Sequence, residues 1–514
     1  MPDLTSKQLG AVISRRHPFY MGKLAHWNFL ELCYEGGREW FETNIFRYIK
    51  EGEKDYSDRV DRAYRFNHTK EVVNLVNKYI FKAKIVRNNE DAPQELVKFW
   101  ESATKEGGSI EKLTRQYSQE ASIYGRVWVV VDNNVRDTVA TKDEEGYVDA
   151  KPFAYVVKPQ NALDMSFDDN GELNWILIYE VVRDDDDPFL STGAERGRYR
   201  LWTKNEWFLL ERYEPVSPSA TGARTNKVEA VIVDSGVHGL GFVPVIPHDH
   251  GESDKIYFSP SLIDDIAYLD RACSNYLSNL DAIIQDQSFS QLAMPAQGVM
   301  PGESTYQKLI EMGTKRIFTF DGEHGGAPFY LSPDPRQAEL IISAISKIIN
   351  EIYHTVGMAG ERTKQDNAIG IDNSSGVAKA YDFERVNALL TSKAFSIKRT
   401  EVKIAKTILA WRGIEKTESE IEEWLVYPET FDIRGIADEF QISAQLRLID
   451  APIGIVKEQM KVLVNKLFPK IKRDLKEKLM LEIEDMKDPI DELMSAGKNQ
   501  HQNDMTGVTD GQNG

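Results

Sequence analysis

Two histidines flank an aspartate at His248-Asp249-His250, with Glu252 close behind, and this is the densest group of potential metal ligands in the 514-residue chain. In an extended strand residues two apart share a face, so His248 and His250 could offer two imidazoles to one divalent cation, with a nearby carboxylate completing a metal-dependent hydrolase. No third ligand can be identified from the sequence, and a polar loop leading into the next helix accounts for the same residues. The run Asp184-Asp185-Asp186-Asp187-Pro188 has the charge for calcium. It lacks the alternating ligands and fixing glycine of a calcium loop, so a solvated turn is the better reading. The chain contains no G-x-x-x-x-G-K-[ST], H-E-x-x-H, G-x-S-x-G or paired C-x-x-C. These absences remove the phosphate-loop motor, the commonest zinc and serine hydrolases and the zinc finger. Cys33 and Cys273 stand far apart in apolar contexts, which predicts buried thiols rather than a disulfide or metal framework. No cofactor and no metal site is expected.

The remaining chemistry is electrostatic. A formal charge of -18 is awkward for a protein that grips nucleic acid, because lasting phosphate contacts need lysine and arginine clusters. A conduit has the opposite requirement, since an acidic or neutral wall lets a polyanion slide. An acidic balance also keeps an ordinary protein soluble, so charge permits a conduit without establishing one. One segment stands out by length: Gly357 to Asn373 holds only two cations, Arg362 and Lys364, near Gln365 and Asn367, with Gly357, Gly360 and Gly370 giving backbone freedom. Connections between helices usually run about 2–8 residues, so this one points to function or disorder.

The elements around these residues follow from periodicity. Pro18 to about Phe81 reads as helical, with Val72, Val73, Val76 and Ile80 at helix spacing, and a further helix spans Ile110 to Tyr124 until Gly125 ends it. The run Val127–Val131 opens a β-rich section with strands at Phe153–Val157, Trp175–Val182, Tyr199–Thr203, Trp207–Tyr213 and Val228–Val233. Ser259 and Pro260 can start an amphipathic helix to Gln285 whose stripe is Leu262, Ile266, Leu269, Cys273, Tyr276, Leu280 and Ile283. A second starts at Asp334-Pro335, where Asp334 and Gln337 suit a capping box, with Ala338, Ile342, Ile345, Ile349, Ile352 and Val356 as its stripe. The two can pack as a hairpin around an excursion with a helical piece near Tyr306–Met312 and strands at Arg316–Phe320 and Pro328–Leu331. A helix end and strand are expected over 421–433, then two helices broken at Ala451–Gly454, with Lys461–Met486 a charge-laced helix. The Asn-, Gln- and Gly-rich end from Gly497 reads as disordered. At 58.6 kDa, with 41% hydrophobic and 28% charged residues and no apolar run near membrane-span length, the composition is that of a globular chain of several substructures. The start Met1–Lys7 lacks the basic flank and apolar stretch of a secretion signal, so the protein is expected to stay in the cytoplasm where it is made, with no membrane partner.

The order of an apolar helix, the Gly357–Gly370 loop, Asp372-Asn373-Ser374-Ser375-Gly376-Val377-Ala378-Lys379 and a long helix to Trp411 resembles the portal protein of tailed bacteriophages. The opening from Trp27 to Phe81, with Gly36-Gly37 and Tyr56–Ala63, and the step Gly241–Pro247 into Ser259–Leu262 are similar to the same family, so the likeness covers about residues 20–470. It implies an α+β, mostly α, ring subunit, divided as follows: wing 1–257, first stem helix 258–295, clip 296–332, second stem helix 333–356, tunnel loop 357–374, long wing helix and return strand 375–436, helical crown 437–496, and disordered tail 497–514. By the same resemblance the protein is a non-enzymatic homo-oligomer, a dodecameric ring at one capsid vertex of the virion. Double-stranded DNA passes through it in packaging and ejection, and its other partners are the terminase large subunit, a head-completion or tail adaptor protein, and the major capsid and scaffolding proteins. Arg362, Lys364, Gln365 and Asn367 would then meet DNA, and Lys308, Lys315 and Arg316 would lie on the docking surface of the clip. Leu262, Ile266, Leu269, Ile342, Ile345, Ile349 and Ile352 would pack the stem. A helical scaffolding or adhesion protein without DNA contact is the third reading, after the hydrolase at His248 and His250.

Overall fold

The computed structural model describes residues 4–49, 51–82, 84–133, 151–185, 187–213, 228–287, 291–295, 317–320, 327, 329–331, 336–357, 376–428, 431, 443–446, 449, 451–467 and 473–486. About half of these residues are helical and the rest include several antiparallel sheets, an α+β chain. Contacts divide it into two units, Met1–Phe431 and Asp432–Gly514.

In the first unit the helix Ile110–Tyr124 buries Ile110, Leu113, Tyr117, Ala121 and Tyr124, one face at three- and four-residue intervals. Gly125 ends it at φ +85, and a Cβ there would meet the Ser259 carbonyl oxygen at 2.0 Å, so both backbone shape and space demand glycine. The chain turns directly into the strand Arg126–Asn133, central between Pro152–Val157 and Val245–Asp249 and antiparallel to both. Buried on both faces from Arg126 to Val131, it explains the unbroken valine run. Trp128 and Val130 share a core with Ile176, Ile178 and Trp202 of a five-stranded antiparallel meander. Its strands are Ala162–Phe167, Leu173–Arg183, Glu195–Thr203, Glu206–Tyr213 and Glu229–Val237.

Three of the elements that go beyond the sequence expectation have local causes. The edge strand Ala162–Phe167 has shifted register near both ends of its one ladder and an aspartate inside it, so no alternation announces it. The helices Ser6–Ile13 and Gln94–Glu101 are eight residues each, short for a periodic signal.

The helix expected from Ser259 starts later and spans Ile266–Gln287. Ser261 explains the delay: its Oγ donates to the carbonyls of Ser122 and Ile123 at 3.0 and 2.7 Å, and the Leu262 N–H donates to Ser122 O at 3.2 Å. These are carbonyls at the end of the Ile110–Tyr124 helix that have no partner within it. Ser259 and Pro260 therefore do not cap the helix, and Leu262 lies in the turn before it. Residues 291–295, expected in the same helix, form a strand instead. Gln291–Pro295 is central in a small sheet, parallel to Ile317–Phe320 and antiparallel to Phe329–Leu331. That sheet brings the end of one helix to the start of the next, Arg336–Thr355, and so sets the pair antiparallel. Asp334 and the expected helical piece at 306–312 lie outside the described residues.

A 36-residue helix, Gly376–Trp411, then crosses the unit, and the short strand Leu425–Val426 returns to pair with Val86–Arg87. The return is locked by Glu401 on the long helix, which accepts from Arg87 Nε and Nη2 at 2.6 and 3.1 Å and from the Tyr427 hydroxyl. In the second unit the helices Ile453–Leu467 and Arg473–Glu484 bury Leu463 and Ile483, and Lys461 bridges Glu458 and Glu484. The expected tail from 497 lies outside the described residues.

Candidate functional site

The helices Ile266–Gln287 and Arg336–Thr355 meet through Cys273, Leu277 and Ile345, with Leu280, Ile341, Ile348 and Ile349 packed around them. Ile266 and Ile352 are also buried, and Leu269 is half-buried. Ile342, expected in this seam, is 51% exposed. The seam runs through Ile341, Ile345, Ile348 and Ile352, steps of four, three and four that follow the helix period, which turns Ile342 to the flank. Leu340 on the same helix is 72% exposed.

Buried charge ties the base of this hairpin to the N-terminal helices. Asp270, one turn into the first helix, accepts from Arg65 Nη2 at 2.9 Å, Thr69 N at 3.1 Å and Thr69 Oγ1 at 2.7 Å. The Arg65 guanidinium lies 4.1 Å over the Trp40 ring. Arg59, also buried, grips both oxygens of Glu51 at 2.7 Å and donates to Ser278 Oγ at 2.9 Å on the same hairpin helix. The hydrogen bonds from Arg59 hold the Glu51 carboxyl below its usual pKa. On the second helix the Tyr353 hydroxyl donates to Glu71 and lies 3.3 Å from His68 Nδ1. Arg59 sits on the helix Glu53–Arg62 and His68, Thr69 and Glu71 on the helix His68–Ile80, while Arg65 lies in the linker between them.

The hairpin leaves its second helix at Gly357. Its φ is +74, its N–H donates to His354 O at 3.0 Å, and a Cβ would come within 3.1 Å of Arg385 Cβ and 3.3 Å of Val386 Cγ2. Arg385 Nη1 lies 3.3 Å from His354 Nε2, and Val356 and Val386 are buried. The chain thus departs pinned against the long helix. It re-enters at Gly376, ten residues before Val386, about 15 Å away along the helix axis at 1.5 Å per residue. Arg362, Lys364, Gln365 and Asn367 lie outside the described residues, as do Lys308, Lys315 and Arg316.

The two histidines enter a different network. On the strand Val245–Asp249, buried His248 places Nδ1 2.8 Å from Thr400 Oγ1 and stacks edge-on with Tyr117 at 4.5 Å. Asp249 is held by Arg126 Nε and Nη2 at 2.6 and 2.8 Å. His250 Nδ1 lies 3.2 Å from the Nζ of Lys393, a fully buried lysine of the long helix that also donates to Ser118 O at 2.8 Å and Ser122 Oγ at 2.7 Å. Burial brings the Lys393 amine down to about 7. Burial and then the neighbouring Lys393 push both imidazoles well below their ordinary pKa. Among the described residues no three His, Cys, Asp or Glu side chains converge as metal ligands. His248, through Thr400, and His250, through Lys393, attach this part of the chain to the long helix, Asp249 pairs with Arg126 of the neighbouring strand, and nothing in the geometry favours the hydrolase reading.

Against known proteins, the family model for phage portal protein, SPP1 Gp6-like, matches residues 23–428. No curated protein sequence matches the chain. Among solved structures, the virion of a native gene transfer agent particle contains a chain 10% identical, covering 68% of this chain and 78% of that one with a TM-score of 0.34. Necks of the empty and native particles, solved with C6 and C12 symmetry, contain chains 11% identical with TM-scores of 0.37. They cover 81% and 77% of this chain and 99% and 89% of those.

Proposed function

This chain belongs to the SPP1 Gp6-like family of phage portal proteins, and we propose that it forms the ring that conducts double-stranded DNA at one capsid vertex. The family match over residues 23–428 carries this reading and supports a structural role. In the ring we place the hairpin as the stem, the small sheet at its end as the clip, the long helix in the wing and the second unit in the crown. The clip, with Lys308, Lys315 and Arg316, is the docking surface for the terminase large subunit and then for the adaptor. A twelve-fold ring needs heterologous contacts, and the exposed Leu340 and Ile342 on the flank of the stem are apolar surface for a neighbour to cover.

Negative-stain images of the purified protein should show rings with a central hole; compact single particles would sink the reading. Leu340→Asp with Ile342→Asp should leave the subunit folded and shift light scattering from the ring mass toward the monomer. Aspartate at Ile345 would instead break the hairpin itself, so it cannot report on assembly.

We further assign residues 357–374 as the loop that meets DNA. Two cations amid amides suit a contact that forms and breaks as DNA slides. Arg362→Ala with Lys364→Ala should preserve the ring and change the amount of DNA packaged or retained in an in vitro reaction, with the difference shrinking as salt rises. Packaging and retention that match wild type at every salt concentration would remove the loop from the DNA path.

A further inference from the structure

The longest ribbon of the five-stranded sheet, Leu173–Arg183 with Glu195–Thr203, ends in a turn that exposes Phe189 to 94% and Leu190 to 84%. The turn is firmly built. Asp184 accepts from Thr192 N and Oγ1 at 3.1 and 2.7 Å, Asp187 N donates to Ser191 Oγ at 2.9 Å, and Asp187 Oδ1 accepts from Phe189 N at 2.8 Å. Asp184 and Asp187 of the acidic run thus build a turn that holds two large apolar side chains outward, an arrangement that stabilises nothing within the subunit.

The other end of the ribbon carries a complementary surface. Arg15, Arg16, Pro18 and Trp175 line an open cleft whose only carboxylate is Asp164. Asp164 is matched by Arg15 at 2.9 Å, and the Arg15 guanidinium lies 4.7 Å over the Trp175 ring. Arg16 donates to the Ile13 and Arg15 carbonyls and leaves the cleft with an excess positive charge, in a chain whose net charge is -18.

We propose that the Phe189–Leu190 tip of one copy seats in the Arg15–Arg16–Trp175 cleft of the next, an inference that rests on the ring reading above. The partner is a second copy because the acidic, apolar tip matches the basic, aromatic cleft in both charge and polarity. Eight residues separate Trp175 from Arg183, about 27 Å at roughly 3.4 Å each, so a tip cannot reach its own cleft. Two different surfaces at opposite ends of one rigid ribbon are what a head-to-tail ring contact requires.

The test uses full-length protein with cysteines at the two surfaces, since Cys33 and Cys273 are buried. Leu190→Cys combined with Pro18→Cys should give a ladder of disulfide-linked multimers on oxidation, where either substitution alone gives none. Phe189→Ser with Leu190→Ser should raise the concentration for half-assembly by about tenfold or more. Arg16→Glu should weaken assembly, and adding Asp185→Arg should restore it. Circular dichroism should show every variant folded, as expected for such exposed sites. Rings that form without a ladder and without a shift in the serine variant overturn the tip contact and leave the portal reading standing. Failure of the wild-type protein to form rings overturns both.

Discussion

Lys393→Met should stabilise the subunit by about 1–4 kcal/mol near neutral pH and abolish a climb in stability that the native protein shows between pH 7 and 9. The amine is fully buried, and burial alone brings it down to about 7 from an unfolded value of 10.5. Below pH 7 both states hold the proton and this group adds no slope. Above pH 7 the unfolded chain keeps a proton that the folded one has lost, so stability rises with pH, by up to about 1.4 kcal/mol per unit. The window closes near pH 9, because burial raises the Cys33 thiol from 9.0 to about 11 and that group works in the opposite direction. His248 and His250, held neutral well below 6.5, add a separate loss of stability as pH falls below 6.5. Methionine gives up hydrogen bonds to Ser118 O, Ser122 Oγ and His250 Nδ1, but Ser122 Oγ already donates to Ser118 O at 2.9 Å and keeps that carbonyl satisfied. Thermal melting from pH 6.5 to 9 at fixed protein concentration measures both effects. A native curve flat across that window, or a methionine variant less stable at pH 7, would show that the buried amine is solvated by its three partners far better than burial suggests.

What sequence reading could reach here depended on whether the physics was local. The helix Ile110–Tyr124 and its stop at Gly125 are written in adjacent residues, and so is the buried strand that follows. The order of apolar helix, polar loop and long helix was enough to point to the portal family. The start at Ser259 misled because a serine before a proline reads as a cap, whereas Ser261 serves a different helix more than 130 residues earlier. Ile342 misled because steps of three and four leave two acceptable seams in the helix, and only the partner helix chooses between them. Lys393, Glu401 and Asp270 carried no sequence signal at all. Each is a charged residue at an ordinary helical position with at least one partner 205 to 314 residues away.

Asp270→Ala should cost about 3–5 kcal/mol, because it strands the buried Arg65 guanidinium without its counter-charge. Arg65 Nε and Nη1 have no hydrogen-bond partner even in the native subunit, and the Trp40 ring is a weak substitute for a carboxylate. Arg65→Met with Asp270→Leu removes both charges and should recover most of the loss, so the pair would show strong coupling in a double-mutant cycle. Urea midpoints measured at unchanged slope give these energies; a single alanine variant within about 1 kcal/mol of native would mean that the charge finds water. The double variant also asks what the pair is for. Asp270 sits where the helical hairpin, the proposed stem, leaves the N-terminal helices, and its three hydrogen bonds are directional in a way that Met against Leu is not. If the pair sets the angle of the stem, the apolar replacement should be stable as a subunit and yet close fewer rings, since a small error per copy accumulates around a closed circle. Rings as abundant as those of the native protein would show instead that packing along Cys273, Leu277 and Ile345 is enough to aim the stem.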